Sequence, residues 1–154
     1  MKTLEKTHVA NDTLVNVMNE FLADMQIFYQ NLRGFHWNVT GNLFFVLHAK
    51  FEEYYNETAE AVDEVAERIL MVGGQPVHSF SQYIQIAEIQ EVTDVHDGKE
   101  AVHIVISQSE MLHAKMNRLK EVANDRNDET TATLFSDLMA ETEKRIWMLK
   151  TFVK

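Results

Sequence analysis

His48 and Glu52 stand four residues apart, and Asp63 and Glu67, beginning fifteen residues after His48, stand four apart again. Spacings of four put two side chains on one face of a helix. Imidazole and carboxylate donors without sulfur suit iron, manganese or zinc, and a site with open coordination positions admits an oxidant, so Fe(II) oxidation is the chemistry such a set favours. His36, twelve residues before His48, is a further imidazole within reach if the intervening chain turns back. There is no cysteine. A disulfide framework, a thiolate metal site and a cysteine nucleophile are therefore excluded, and a reducing compartment is indicated.

The elements that must position these residues are legible in the apolar spacing. Leu14, Val17, Met18, Phe21, Leu22, Met25, Phe28 and Leu32 recur every three or four residues, the period of an amphipathic helix. That helix is predicted to end between Trp37 and Thr40, with Gly41 as its stop and Asn42 as the N-cap of the next. The second helix is predicted over about 42–72, closed by Gly73-Gly74 and by Pro76, the only proline. From Gln75 to Val95 no period persists, although Phe80, Tyr83, Ile84 and Ile86 suit a short helix in an ordered crossover. Asp97 and Glu100 have capping-box spacing, which predicts a third helix over about 98–124. The β-branched run Val102 to Ile106 resembles a strand, but Ile104, Met111 and Leu119 extend a helical stripe beyond any strand length. After Asn124 to Asp128 a fourth helix runs to the C-terminus through Leu134, Leu138, Ile146, Leu149 and Phe152. Helices of about 25 to 31 residues are about 38 to 46 Å long and pack as an all-α antiparallel four-helix bundle. One long crossover between the second and third is the ferritin-like arrangement, here in a single domain spanning 1–154.

At about 100° per residue from His48, Glu52 lies near 40°, Asp63 near 60° and Glu67 near 100° on the second helix. Leu47, Phe51, Tyr55, Val62, Ala66 and Ile69 suggest an apolar face centred near −40°, so the candidate ligands border it. Glu53, Glu57, Glu60 and Glu64 fall further round and read as solvated charge. Along the axis, His48 and Asp63 are about 22 Å apart, too far to share one metal within a chain. A two-fold axis solves this by laying the His48 end of one helix against the Asp63/Glu67 section of its mate, which predicts two symmetry-related sites at a dimer interface. The third helix carries two Glu-x-x-His pairs, Glu100/His103 and Glu110/His113, but about 15 Å of rise separates them, and they read as surface or core-edge residues.

Lys and Arg total 14 against 24 Asp and Glu, a formal net charge of −10. Such a surface repels phosphate backbones and attracts cations. No apolar run approaches the ~18 to 20 residues of a membrane span. Met1 to Asp12 includes Lys2, Glu5 and Lys6 without an apolar stretch, unlike a signal peptide, so a cytoplasmic location is expected.

Phe35-His36-Trp37-Asn38-Val39-Thr40-Gly41, then Leu47-His48-x-x-Phe51-Glu52, Tyr55, and Asp63-Glu64-Val65-Ala66-Glu67-Arg68-Ile69 together resemble the signature of the Dps family of ferritin-like mini-ferritins. Ile146 to Lys150 resembles that family's last helix, so the likeness spans essentially the whole chain. The resemblance implies a four-helix subunit with a short helix in its crossover, twelve of which form a hollow shell. It also implies ferroxidase centres shared between two-fold-related subunits, with iron held by His36 and His48 of one and Asp63 and Glu67 of the other. Glu52 matches a position where the family often has an acidic ligand or water-binding group, and Trp37 matches an aromatic neighbour read here as interface packing. The implied reaction is oxidation of Fe(II) by hydrogen peroxide or O2 with storage of Fe(III) mineral, which protects against oxidative stress. The alternative is a shell whose main role is compacting DNA. Many members bind DNA through a Lys/Arg-rich tail, whereas Met1 to Asp12 has two lysines and the chain stops at Lys154, so DNA binding is not expected. Asp125, Asp128 and Glu129 lie where the family has acidic pores, with Thr133 where an acid is often found; as capping and turn residues they have an equal claim.

Overall fold

The computed structural model describes the backbone of residues 2–154 and the side chains of residues 13–154. The side chains of Lys2 and Lys6, the two lysines of the segment judged too poor in basic residues for a DNA-binding tail, lie outside the described residues. Five helices follow in order: α1 (Lys2–Asn38), α2 (Phe44–Met71), α3 (Phe80–Ile86), α4 (Gly98–Asp125) and α5 (Glu129–Phe152). The predicted long helices and the short crossover helix are all present, and the Val102 to Ile106 run lies inside α4. Among the described residues there is no strand, only an isolated bridge between Thr40 and Asp97.

α1 and α2 pack as one hairpin and α4 and α5 as a second, while α1 also packs on α4 and α3. The α1 stripe Leu14, Met18, Phe21, Leu22, Phe28 and Leu32 is fully buried against Phe51 and Ile69 of α2, Leu112 and Leu119 of α4 and Phe135 of α5. Phe21 and Phe135 meet edge to face at 5.6 Å. Each such side chain contributes about 1.5–3 kcal/mol when removed from water.

The helix ends follow local chemistry. Gly41 takes φ +91°, and the Phe44 N–H donates to its carbonyl at 3.1 Å. Residues 41–44 thus form the turn, which places Asn42 inside it; Leu43, not Asn42, is the N-cap and offers no side-chain bond. α2 ends as expected: Gly73 takes φ +90°, and the Gly74 N–H donates to the Ile69 carbonyl at 2.8 Å. Asp97 accepts from the Glu100 N–H at 2.9 Å, capping α4. Asp128 caps α5 by accepting from the Thr131 N–H and hydroxyl, and also pairs with Arg68 of α2 at 3.3 Å. Burial alone would raise the Asp128 carboxyl, but the two Thr131 bonds and the charges of Arg68 and Arg126 hold it below its ordinary value.

Three polar residues of α1 fasten the crossover. Asn19 bonds the Gln75 carbonyl and the Val77 N–H. Asp24, wholly buried, accepts from the Glu88 and Ile89 N–H groups at 2.7 and 2.8 Å and pairs with Lys115 of α4. Asn31 bonds the Gln90 carbonyl, the Val92 N–H and the Gln108 side chain. Asp24 and Asn31, the two that are buried, are paired with a segment that has few backbone partners of its own, which keeps them inexpensive.

Candidate metal centre

The five-residue turn between α1 and α2 folds the chain back so that His36 and His48 stack, with ring centroids 3.8 Å apart and planes 13° from parallel. Each ring is fixed by the other residue's backbone. His36 Nδ1 lies 2.6 Å from the His48 carbonyl oxygen, and His48 Nδ1 lies 2.8 Å from that of His36. A carbonyl oxygen only accepts, so both Nδ1 atoms carry the proton. In each neutral ring the lone pair is left on Nε2, the state in which imidazole ligates a metal. Phe44 stacks on the outer face of His48 at 4.8 Å. His36 is buried and His48 half-buried.

Tyr55 reaches this pair from the next turn of α2. Its ring stands edge-on to His36 at 5.4 Å and to Tyr29 at 5.8 Å, and its hydroxyl donates to Glu52 Oε1 at 3.3 Å. Partial burial, then the Glu52 charge and this bond, hold the Tyr55 phenol above its ordinary value, so it remains a donor at neutral pH. Trp37 is 54% exposed, with the Arg33 guanidinium 4.7 Å over its ring. The sequence places Tyr55 on the apolar face and in the family-like signature but gives it no role at the centre; its spacing of three from Glu52 is the available signal.

The core-facing stripe of α2 is Leu47, Phe51, Tyr54, Thr58, Val65 and Ile69. It centres near −90° on the angular scale, about 50° from the predicted face. Tyr55, Val62 and Ala66 are only partly buried. Asp63 and Glu67 consequently lie about 150° to 170° from the core direction, and with Glu52 they are exposed. The residues therefore fall into two sets: His36, His48 and Glu52 beside the turn, and Asp63 and Glu67 fifteen to nineteen residues beyond His48 on a continuous helix. Among the described residues, no three His, Asp or Glu side chains gather on one point within the chain.

Among the described residues, the bundle interior offers no alternative centre. Arg145, its side chain only 9% exposed, lies there over Tyr54 at 5.2 Å and Phe28 at 5.6 Å, and pairs with Glu57 at 3.7 Å. A buried guanidinium repels a cation. Burial pushes Arg145 down from its ordinary value, with Glu57 opposing the shift. Glu57 is thus more than solvated charge, and with Glu53, Glu60 and Glu64 it borders a groove of about 290 Å³ between α2 and α5. Partial burial, then Glu57 and Glu64, push the Glu141 carboxyl there up. Glu100, His103 and Glu110 are exposed and His113 half-buried beside Glu143, as expected of the two Glu-x-x-His pairs. Asp128 is engaged as a cap and in an ion pair, the capping role the sequence allowed it; Asp125 and Glu129 are exposed.

A family model for the ferritin-like domain matches residues 15–154. The chain is 38% identical over 143 residues to DNA protection during starvation protein 2 of Bacillus anthracis, covering 93% of this chain and 98% of that protein. It is 38% identical over 154 residues to the DNA protection during starvation protein of Porphyromonas gingivalis, covering 98% and 97%. Among solved structures, the Dps protein of Vibrio cholerae O1, described as belonging to a broad superfamily of ferritin-like diiron-carboxylate proteins, superposes with a TM-score of 0.93. It shares 42% identity over 95% of this chain and 92% of that one.

Proposed function

The chain belongs to the Dps family of ferritin-like proteins, and from that membership we propose that it oxidises Fe(II) and stores the Fe(III) product. The observation that carries this reading is the crossed pair His36 and His48, each Nδ1 held by the other's carbonyl and each Nε2 left to ligate. Side chains fixed before a cation arrives lose little freedom on binding it.

In this reading two chains related by a two-fold axis complete each centre. His36, His48 and Glu52 of one face Asp63 and Glu67 of the other, whose exposed position on α2 leaves them accessible to a partner. Fe(II) is the substrate, and hydrogen peroxide or O2 the oxidant. With peroxide, two Fe(II) ions each give up one electron, the O–O bond breaks and its two oxygens become hydroxide, while the carboxylates favour the more highly charged Fe(III). Twelve chains forming a hollow shell would hold the mineral and carry a formal charge of −120, twelve times the −10 of one chain. Such a shell draws cations inward.

Initial rates of Fe(II) oxidation with peroxide and with O2, compared between the parent and His36→Ala plus His48→Ala, test the assignment. A loss of about tenfold or more is expected; equal rates would overturn it.

The names of the relatives raise a second reading, protection of DNA by direct binding. The net charge of −10 opposes it, and protection by removing Fe(II) and peroxide together, the reactants that generate hydroxyl radical, needs no contact with DNA. Plasmid retarded in a gel at low salt and neutral pH would favour direct binding.

A further inference from the structure

We propose that Tyr55 is a positioning residue of this centre, holding the Glu52 carboxylate and the His36 ring where they meet a divalent cation. The proposal rests on the reading of His36, His48 and Glu52 as one side of a metal centre and adds the group that orders it. Glu52 is exposed on α2, and a free glutamate side chain has many rotamers to lose when it binds an ion. Tyr55 has two torsions, and its ring is set between Tyr29 and His36, both edge-on to it within 5.8 Å. Its hydroxyl is therefore a stiff arm, and it donates to Glu52 Oε1 one helical turn away.

The kind of donor matters. Among the described ion pairs none includes Glu52, so Tyr55 steadies the carboxylate without cancelling its charge, as a lysine or arginine there would. With Oε1 engaged by the hydroxyl, Oε2 is the oxygen that faces an incoming cation. One ring thus touches both donor types of the half-centre, an imidazole and a carboxylate.

Co(II), which does not turn over, is the probe: its affinity for the assembled protein by calorimetry and its visible absorption bands are measured in the parent, Tyr55→Phe, Glu52→Ala and the double variant. Tyr55→Phe keeps the ring and is expected to bind Co(II) about three- to tenfold more weakly, the effect of one hydrogen bond to a partly exposed charged group, with altered visible bands and unchanged assembly by light scattering. In the Glu52→Ala background the same change is expected to add nothing, because the arm then has no carboxylate to hold. Parent-like affinity in Tyr55→Phe, or full additivity in the double variant, overturns the proposal while leaving the centre intact. Parent-like Co(II) affinity in Glu52→Ala removes Glu52 from the centre and overturns the proposal with it. Parent-like binding in His36→Ala plus His48→Ala would instead show that the centre itself is misassigned, and would overturn both.

Discussion

The crossed bonds between His36 and His48 answer a question that residue identity leaves open, namely which nitrogen of each imidazole carries the proton. A histidine on a helix edge is commonly a hydrogen-bonded packing residue, and here each ring is hydrogen-bonded through Nδ1 while Nε2 stays a lone-pair donor. Asp63 and Glu67 differ from the histidines in having an exposed place and no fixed geometry within the chain. Replacing them together by the isosteric Asp63→Asn and Glu67→Gln is expected to reduce the initial rate of Fe(II) oxidation about tenfold or more without altering helix content by circular dichroism. An undiminished rate would remove them from the centre. The ligand candidates were legible because their spacings are helical. Tyr55 was not, because nothing in a lone tyrosine says whether its ring turns to the core or its hydroxyl to a neighbouring acid.

Among the elements, the crossover from residue 72 to 97 depends most on contacts distant in sequence. Asp24 bonds two consecutive N–H groups of that segment and a lysine of α4, so Asp24→Ala leaves the Glu88 and Ile89 N–H groups without their acceptor and the Lys115 ammonium with only the more distant Glu88 carboxylate, at 3.5 Å. A cost of about 2–4 kcal/mol is expected from the denaturant midpoint, with faster amide exchange at Glu88 and Ile89. The cap of α5 has a pH signature. The folded pKa of Asp128 lies below its unfolded one, so its contribution is complete above the unfolded value of about 4 and fades as pH falls through the folded value. Asp128→Ala is expected to lower stability by about 1–2 kcal/mol at neutral pH, with the difference from the parent closing in stronger acid; denaturation midpoints across pH would reveal it. The start of α2 lies two residues later than predicted because the Phe44 N–H closes a turn on the Gly41 carbonyl, which puts Asn42 inside the turn and not at the cap.

For the whole molecule, the sharpest consequence of the proposed function is a centre that belongs to a pair of chains. Mixing the His36→Ala plus His48→Ala protein with the Asp63→Asn plus Glu67→Gln protein, unfolding and reassembling them together, makes hybrid pairs in which one centre is intact and the other has lost both sides. Equal mixing yields hybrids in half the pairs, so about a quarter of the parent's rate is expected from two nearly inactive components; no recovery would contradict a shared centre. The sequence by itself determined the all-α ferritin-like bundle, the long crossover with its short helix, and the two groups of candidate ligands, because helical period, caps and residue spacing are local properties of the chain. Only the tertiary structure decided that α2 turns its ligand-bearing face away from the core, that a buried guanidinium occupies the bundle interior, and that the two histidine rings lock each other. Periodicity locates a stripe to within a few tens of degrees, whereas the packing of α2 against its neighbours fixes its rotation. That rotation is what leaves Asp63 and Glu67 exposed, as the proposed pairing with a second copy of the chain requires.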